Sequence, residues 1–194
     1  MTHPPLRISE TILKTARIVE MRTWYRAVLG LEPSIEHMPD GAEQFEDGSQ
    51  RASGMRLCFF ELNEDYPYFQ TLGMFEVPNL SLARNENSPG LHHMQFHAGT
   101  LDALISRFEA LDAQSIRPVR TMNHGPSMSF YYADPDGNTL ELTANNFAEL
   151  NEYRVFLKSD RFRQNPSGHM IDPDELRRRF RSGQSIEELR EIVA

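Results

Sequence analysis

Phe130-Tyr131-Tyr132-Ala133-Asp134-Pro135-Asp136-Gly137-Asn138-Thr139-Leu140-Glu141-Leu142 is a β-hairpin in sequence form. Its centre, Asp-Pro-Asp-Gly-Asn, is a strong turn signal, because proline presets φ and glycine and asparagine accept left-handed backbone. The flanks SMSFYYA (127–133) and TLELTAN (139–145) are rich in strand-forming residues. Glu141 stands between two leucines. A carboxylate there either faces solvent or points inward, where an unpaired charge is costly and a metal or cation partner is required. Periodicity alone leaves both readings open.

Working outward, LHHMQFHA (91–98) reads as a strand with three histidines, His92, His93 and His97. Side-chain alternation puts His93 and His97 on one face and His92 on the other. A lone strand histidine is usually structural, but this clustering suggests metal binding or acid–base work. Thr100 can cap a helix from Leu101 to Leu111, with Leu101, Leu104, Ile105, Phe108 and Leu111 on one face. Residues 116–120 read as a short strand.

The same order occurs earlier in the chain. Residues 7–14 read as a strand. Arg17 to Leu29 forms an amphipathic helix through Ile18, Met21, Trp24, Tyr25 and Val28, with Gly30 as its stop. Strands are expected at 32–38 and at MRLCFFEL (55–62). Residues 63–90, with three prolines and several aromatics, read as a connection that covers a pocket.

The expected fold class is therefore α+β, with two tandem βαβββ modules at about 7–62 and 91–145. Together they make one domain, 1–145. Residues 146–194 are expected to be a helical C-terminal extension, with a helix over 146–157. Asp172-Pro173-Asp174-Glu175 reads as a capped helix start, and Ser185-Ile186-Glu187-Glu188 as a capping box before a short helix ending near Ile192.

Composition narrows the function classes. A chain of 194 residues suits one compact domain, and 39% hydrophobic content supports a core. The net charge of -8 argues against nucleic acid as a partner. Arg177-Arg178-Arg179 shares its helix with acids and reads as a solvated face. No apolar run approaches the ~20 residues that span a bilayer, and Met1 to Glu10 lacks an apolar signal core. A cytoplasmic location is the default expectation. Cys58, the single cysteine, sits among apolar neighbours and reads as a buried thiol. Trp24, Phe59, Phe60, Phe96 and Phe130 read mostly as core, with one or two able to line a pocket for a flat substrate.

Three of these segments together resemble the glyoxalase/bleomycin resistance/extradiol-dioxygenase (vicinal oxygen chelate) superfamily. Gly90-Leu91-His92-His93-Met94-Gln95-Phe96 is similar to that family's strand carrying a metal-ligating histidine. The 130–142 hairpin is similar to its signature ending in a metal-ligating glutamate. Trp24-Tyr25-Arg26-Ala27-Val28-Leu29-Gly30-Leu31 is similar to its opening helix. Asn123-His124-Gly125-Pro126 and the tail resemble a single-chain, extradiol-dioxygenase-like subgroup.

The resemblance implies two modules cupped as one mixed sheet around a metal. It assigns His93 and Glu141 as ligands and Tyr131 as the active-site tyrosine, with His124 as a proton-handling neighbour. Where the family has its first-module histidine, this chain has Glu10. A Glu10/His93/Glu141 set carries harder oxygen donors, suited to Fe(II), Mn(II) or another divalent metal. Alternatively Glu10 binds no metal, or His3 or His97 takes its place. Glu61 is a lesser candidate for a fourth ligand, and His37 and His169 read as loop residues. The implied function is a metal-dependent ring-cleaving dioxygenase for a catechol-like or polycyclic phenolic molecule. The alternatives are a non-oxidative isomerase, epimerase, lyase or cyclase, and a metal-free small-molecule binder. A homodimer is possible by analogy with the family.

Overall fold

The computed structural model describes residues 6–40, 46–48, 51–80 and 89–192. His3, a candidate replacement ligand, lies outside them. The chain forms two compact units: Met1–Ser88 with Asp134–Asp136, and Pro89–Ala133 with Gly137–Ala194. The architecture is mixed α+β, with one sheet in each unit and helices in the C-terminal extension.

The first unit contains β1 (Glu10–Thr15), α1 (Ile18–Leu29), β2 (Ile35–His37), β3 (Leu57–Asn63) and β4 (Gln70–Glu76). Its sheet runs β1-β4-β3-β2, with β1 and β4 parallel and the other pairs antiparallel. Helix α1 buries Ile18, Met21, Tyr25 and Val28, the stripe expected from its spacing, and ends where Gly30 turns left-handed at φ 66°. The Tyr25 hydroxyl donates to Asp134 Oδ2 at 3.0 Å, so the first aspartate of the hairpin turn is held by α1.

One expectation is corrected here. The sequence predicts a connection over 63–90, yet β4 lies inside that stretch. Its sequence, QTLGMFE, is interrupted by Gly73, which weakens the strand signal. The glycine is required by packing: a Cβ at Gly73 would overlap the Ile12 side chain and press on the Phe59 ring. With β4 in place the first unit has its full βαβββ complement.

The second unit contains β5 (Met94–His97), α2 (Leu101–Asp112), β6 (Arg120–Asn123), β7 (Ser127–Ala133) and β8 (Thr139–Asn145). Then come α3 (Leu150–Leu157), α4 (Asp160–Gln164), β9 (His169–Met170), α5 (Pro173–Arg181) and α6 (Ile186–Arg190). The sheet order is β5-β8-β7-β6-β9. Its first four strands repeat the order of the first unit's sheet, again with the first and last strands of the module parallel. The tandem repeat is thus one of topology.

Helix α2 is capped by the Thr100 side chain, and Leu101, Leu104, Ile105, Phe108 and Leu111 are all buried. Phe108 meets Phe130 edge to face at 5.2 Å between ring centres. The strand expected at 116–120 begins instead at Arg120, because Pro118 lacks the N–H a ladder needs. The expected caps of α5 (Asp172, with Pro173 in the first turn) and α6 (Ser185 and Glu188, reciprocal) both form.

The reading of Arg177-Arg178-Arg179 as a solvated face needs revision. Arg177 pairs with Asp112 on α2. Nearby, Arg181 reaches Asp102 and Glu109, each at 2.7 Å, and Arg117 bridges Asp112 and Asp174. These contacts clamp α5 to α2. Arg177 also pairs within its own helix, with Asp174 at 2.8 Å, and Arg178 and Arg179 pair there with Glu175. Among the described residues, no helix is long and apolar enough to cross a membrane.

Candidate metal and catalytic site

The hairpin signature and the histidine strand meet in the second unit. Register in the sheet pairs Gln95 with Glu141, Glu141 with Tyr131, and Tyr131 with Arg120. Directly paired residues in a ladder project from the same face, so one row across four strands carries an amide, a carboxylate, a phenol and a guanidinium.

Glu141 is 2% exposed and so faces inward, which resolves the alternative left open by its two leucine neighbours. Its Oε2 lies 3.0 Å from His93 Nε2. His93 lies just before β5, with a third of its side chain open to solvent. Tyr131 is 5% exposed. Burial pushes its phenol up to about 12, and the adjacent Glu141 carboxylate pushes the same way, while Arg120 opposes them. Tyr131 therefore stays protonated at neutral pH and serves as a hydrogen-bond donor. The hydroxyl lies 2.9 Å from His124 Nε2. The Arg120 guanidinium lies 4.2 Å from the Tyr131 ring centre.

Four of the five residues singled out from sequence, His93, Glu141, Tyr131 and His124, thus come together in one unit. The fifth, Glu10, opens β1 in the first unit. It is exposed, and its Oε1 accepts from the Thr71 hydroxyl at 3.4 Å. Glu61 lies on the far side of Thr71 in the same sheet row and is exposed.

The other histidines have local partners. His97 Nδ1 accepts from the Gly99 N–H, His37 contacts the Ser53 carbonyl, and His169 Nε2 lies 3.3 Å from the Asn165 side-chain amide. The placement of His92 on the opposite face from His93 is not what the structure has. The ladder starts at Met94, so strand alternation does not govern residues 92 and 93, and their Nδ1 atoms approach to 2.6 Å.

The donor chemistry fits a divalent ion. With bonds of about 2.1 Å at right angles, neighbouring donors of one ion lie about 3 Å apart. That is the spacing of His93 Nε2 and Glu141 Oε2. Burial gives the carboxylate a reason to have a cation partner. Among the described residues no set of three or more His, Cys, Asp or Glu gathers as a metal site.

Sequence reasoning missed Arg120 and Ser167. Arg120 closed a strand whose register was not visible from sequence. Ser167 acts through its backbone carbonyl, 2.8 Å from His124 Nδ1, and no side-chain motif marks such a contact.

Two curated relatives from Rhodococcus globerulus are named biphenyl-2,3-diol 1,2-dioxygenase 2 and biphenyl-2,3-diol 1,2-dioxygenase 3. They are 29% and 28% identical to this chain, each across 97% of it and across 88% and 89% of their own lengths. A lactoylglutathione lyase from Agrobacterium tumefaciens superposes with a TM-score of 0.51 at 24% identity, covering 73% of this chain and 96% of that one. A glyoxylase/bleomycin resistance protein/dioxygenase domain from Frankia sp. EAN1pec gives 0.52 at 14% identity, covering 78% and 99%. These two structures speak to the fold alone. The family model described as Glyoxalase/Bleomycin resistance protein/Dioxygenase superfamily matches residues 7–142, and the chain belongs to that superfamily.

Proposed function

We propose that this chain is a ring-cleaving dioxygenase of extradiol type for a catechol-like or polycyclic phenolic molecule, using a divalent metal, Fe(II), at His93 and Glu141. The observation that carries the reading is the buried Glu141 carboxylate, 3.0 Å from His93 Nε2 and next to the Tyr131–His124 pair. The names of the two Rhodococcus relatives support the reaction class. Glu10 is proposed as the third donor, from the first strand of the 1–145 domain.

When bound, the metal supplies Lewis acidity and an electron for oxygen activation. The chain's own residues handle binding and protons. The protonated Tyr131 hydroxyl can donate to a substrate oxygen. His124 Nε2, now accepting from that hydroxyl, can take a proton from a substrate hydroxyl. Arg120 beside the Tyr131 ring favours negative charge as the phenol substrate ionises. Glu10, a carboxylate where the family's pattern has histidine, favours a second reading. It is a non-oxidative metal enzyme in which the same His124 and Tyr131 move protons at a stabilised oxyanion.

The test is anaerobic purification, metal quantification and oxygen uptake with a catechol panel that includes biphenyl-2,3-diol. Stoichiometric iron with oxygen consumption and a ring-opened product supports the dioxygenase. Bound metal without oxygen uptake by any catechol refutes it in favour of the second reading.

A further inference from the structure

His124 lies in the turn between β6 and β7, and the C-terminal extension is joined to that turn at several points. The ring makes two contacts of opposite kind. Nδ1 lies 2.8 Å from the Ser167 carbonyl oxygen, which can only accept, so Nδ1 carries the hydrogen. In a neutral ring Nε2 is then an acceptor, 2.9 Å from the Tyr131 hydroxyl, and takes the phenol hydrogen.

Tyr131 has one hydrogen and two competing acceptors, His124 Nε2 and the Glu141 carboxylate. The tautomer of His124 decides between them. With Nδ1 protonated, the phenol points to His124 and leaves the Glu141 oxygens available to a cation. With Nε2 protonated, His124 donates to the phenol oxygen and the phenol hydrogen turns to Glu141. A histidine in water favours that second tautomer, so the Ser167 carbonyl works against the ring's own preference.

The carbonyl is held by an arrangement with no slack. Gly168 has φ +76°, and a Cβ there would overlap the Asn123 carbonyl and the Cα of His124. Its N–H donates to Asn165 Oδ1 at 3.1 Å, and its carbonyl accepts from Asn165 Nδ2 at 2.9 Å. β9 then pairs His169 with Asn123 and Met170 with Met122. Asn123 itself donates to the Arg190 and Ile192 carbonyls near the chain's end.

We propose that the 165–170 segment is a positioning element of the active site, in which the Ser167 carbonyl fixes the tautomer of His124 and Gly168 allows the approach. The inference rests on the reading of Tyr131 and His124 as proton-handling groups, and it assigns a function to the extension.

The test uses the full chain labelled with 15N-histidine, treated with chelator, and compared with Gly168→Ala and Asn165→Ala. His124→Gln assigns the resonance. In the parent protein His124 is expected as the Nδ1–H tautomer, with Nε2 at an acceptor shift. In both variants the pattern should move toward Nε2–H, while the His37 and His97 signals stay in place. A parent protein showing Nε2–H, or a folded Gly168→Ala that keeps the parent pattern, overturns the proposal. If Gly168→Ala does not fold, Asn165→Ala decides, and an unchanged tautomer there overturns it.

Turnover provides the second arm. With a catechol that the parent protein cleaves, both variants should lose at least tenfold in kcat, with KM and iron content unchanged. Equal loss of iron and activity would refute positioning. If the parent protein cleaves no catechol, the dioxygenase reading falls, and the tautomer measurement still decides this inference by itself.

Discussion

Raising the pH of the metal-free protein should ionise Tyr131 late and at a cost in stability. An ordinary tyrosine ionises near 10; burial, then the Glu141 carboxylate, pushes Tyr131 to about 12, with Arg120 pulling the other way. The fold thus disfavours the phenolate relative to the unfolded chain. Tyr131 leaves stability unchanged below pH 10 and removes it progressively as pH rises from 10 through 12. Two units correspond to about 2.7 kcal/mol at 1.36 kcal/mol per unit, so the cost is on the order of 1–3 kcal/mol. The assay is phenolate absorbance against pH for the parent protein minus Tyr131→Phe, with denaturant melts at pH 9 and 11. The difference curve should show one group titrating near 12, and Tyr131→Phe should lose less stability than the parent between the two pH values. Glu141→Gln removes the secondary causes but leaves burial, so the group should move toward 10 without reaching it. A difference curve centred at 10 or below in the parent protein would refute the assignment of Tyr131 as a neutral donor.

Other consequences are simpler to check. Cys58 is fully buried and its thiol is pushed up to about 11 by burial and then by Glu36, so thiol alkylation at pH 8 should run about 100-fold below that of a free cysteine and accelerate only on unfolding. Phe108→Ala removes a ring packed on Phe130 and should cost about 3–5 kcal/mol, read as a Tm fall of roughly 10 °C. Tyr25→Phe leaves the buried Asp134 carboxylate short of a donor and should cost about 1–2 kcal/mol in urea melts, with metal content unchanged.

Much of this molecule is legible in the sequence because its elements carry strong local signals. The faces of α1 and α2 follow from apolar spacing, and Asp172, Pro173, Ser185 and Glu188 mark two helix starts by capping chemistry alone. β4 was not legible: Gly73 is there because Ile12 and Phe59 need the space, a demand set by residues far away in the chain. The start of β5 is hidden for a related reason. Composition continues through His92 and His93, but only the pairing with β8 determines where alternation begins, and so where His92 points. Glu141 between two leucines was ambiguous locally, and the sheet settled its direction. The Ser167 carbonyl had no signal at all, since every residue carries one and only the fold selects which is used.

The clamp between α5 and α2 is made of charges, whereas the junction at Gly168 is made of amides. The two respond to different solvents. Exposed ion pairs weaken as the Debye length shrinks to about 3 Å in molar salt, whereas amide hydrogen bonds in a packed turn do not. Concentrated salt should therefore weaken the ion pairs between α5 and α2, while the buried Leu176 and Leu189, the β6–β9 pairing and the Asn123 amide keep the extension in place. Ionic strength then acts on the charged outer contacts of the C-terminal helices and leaves the seat of His124 undisturbed.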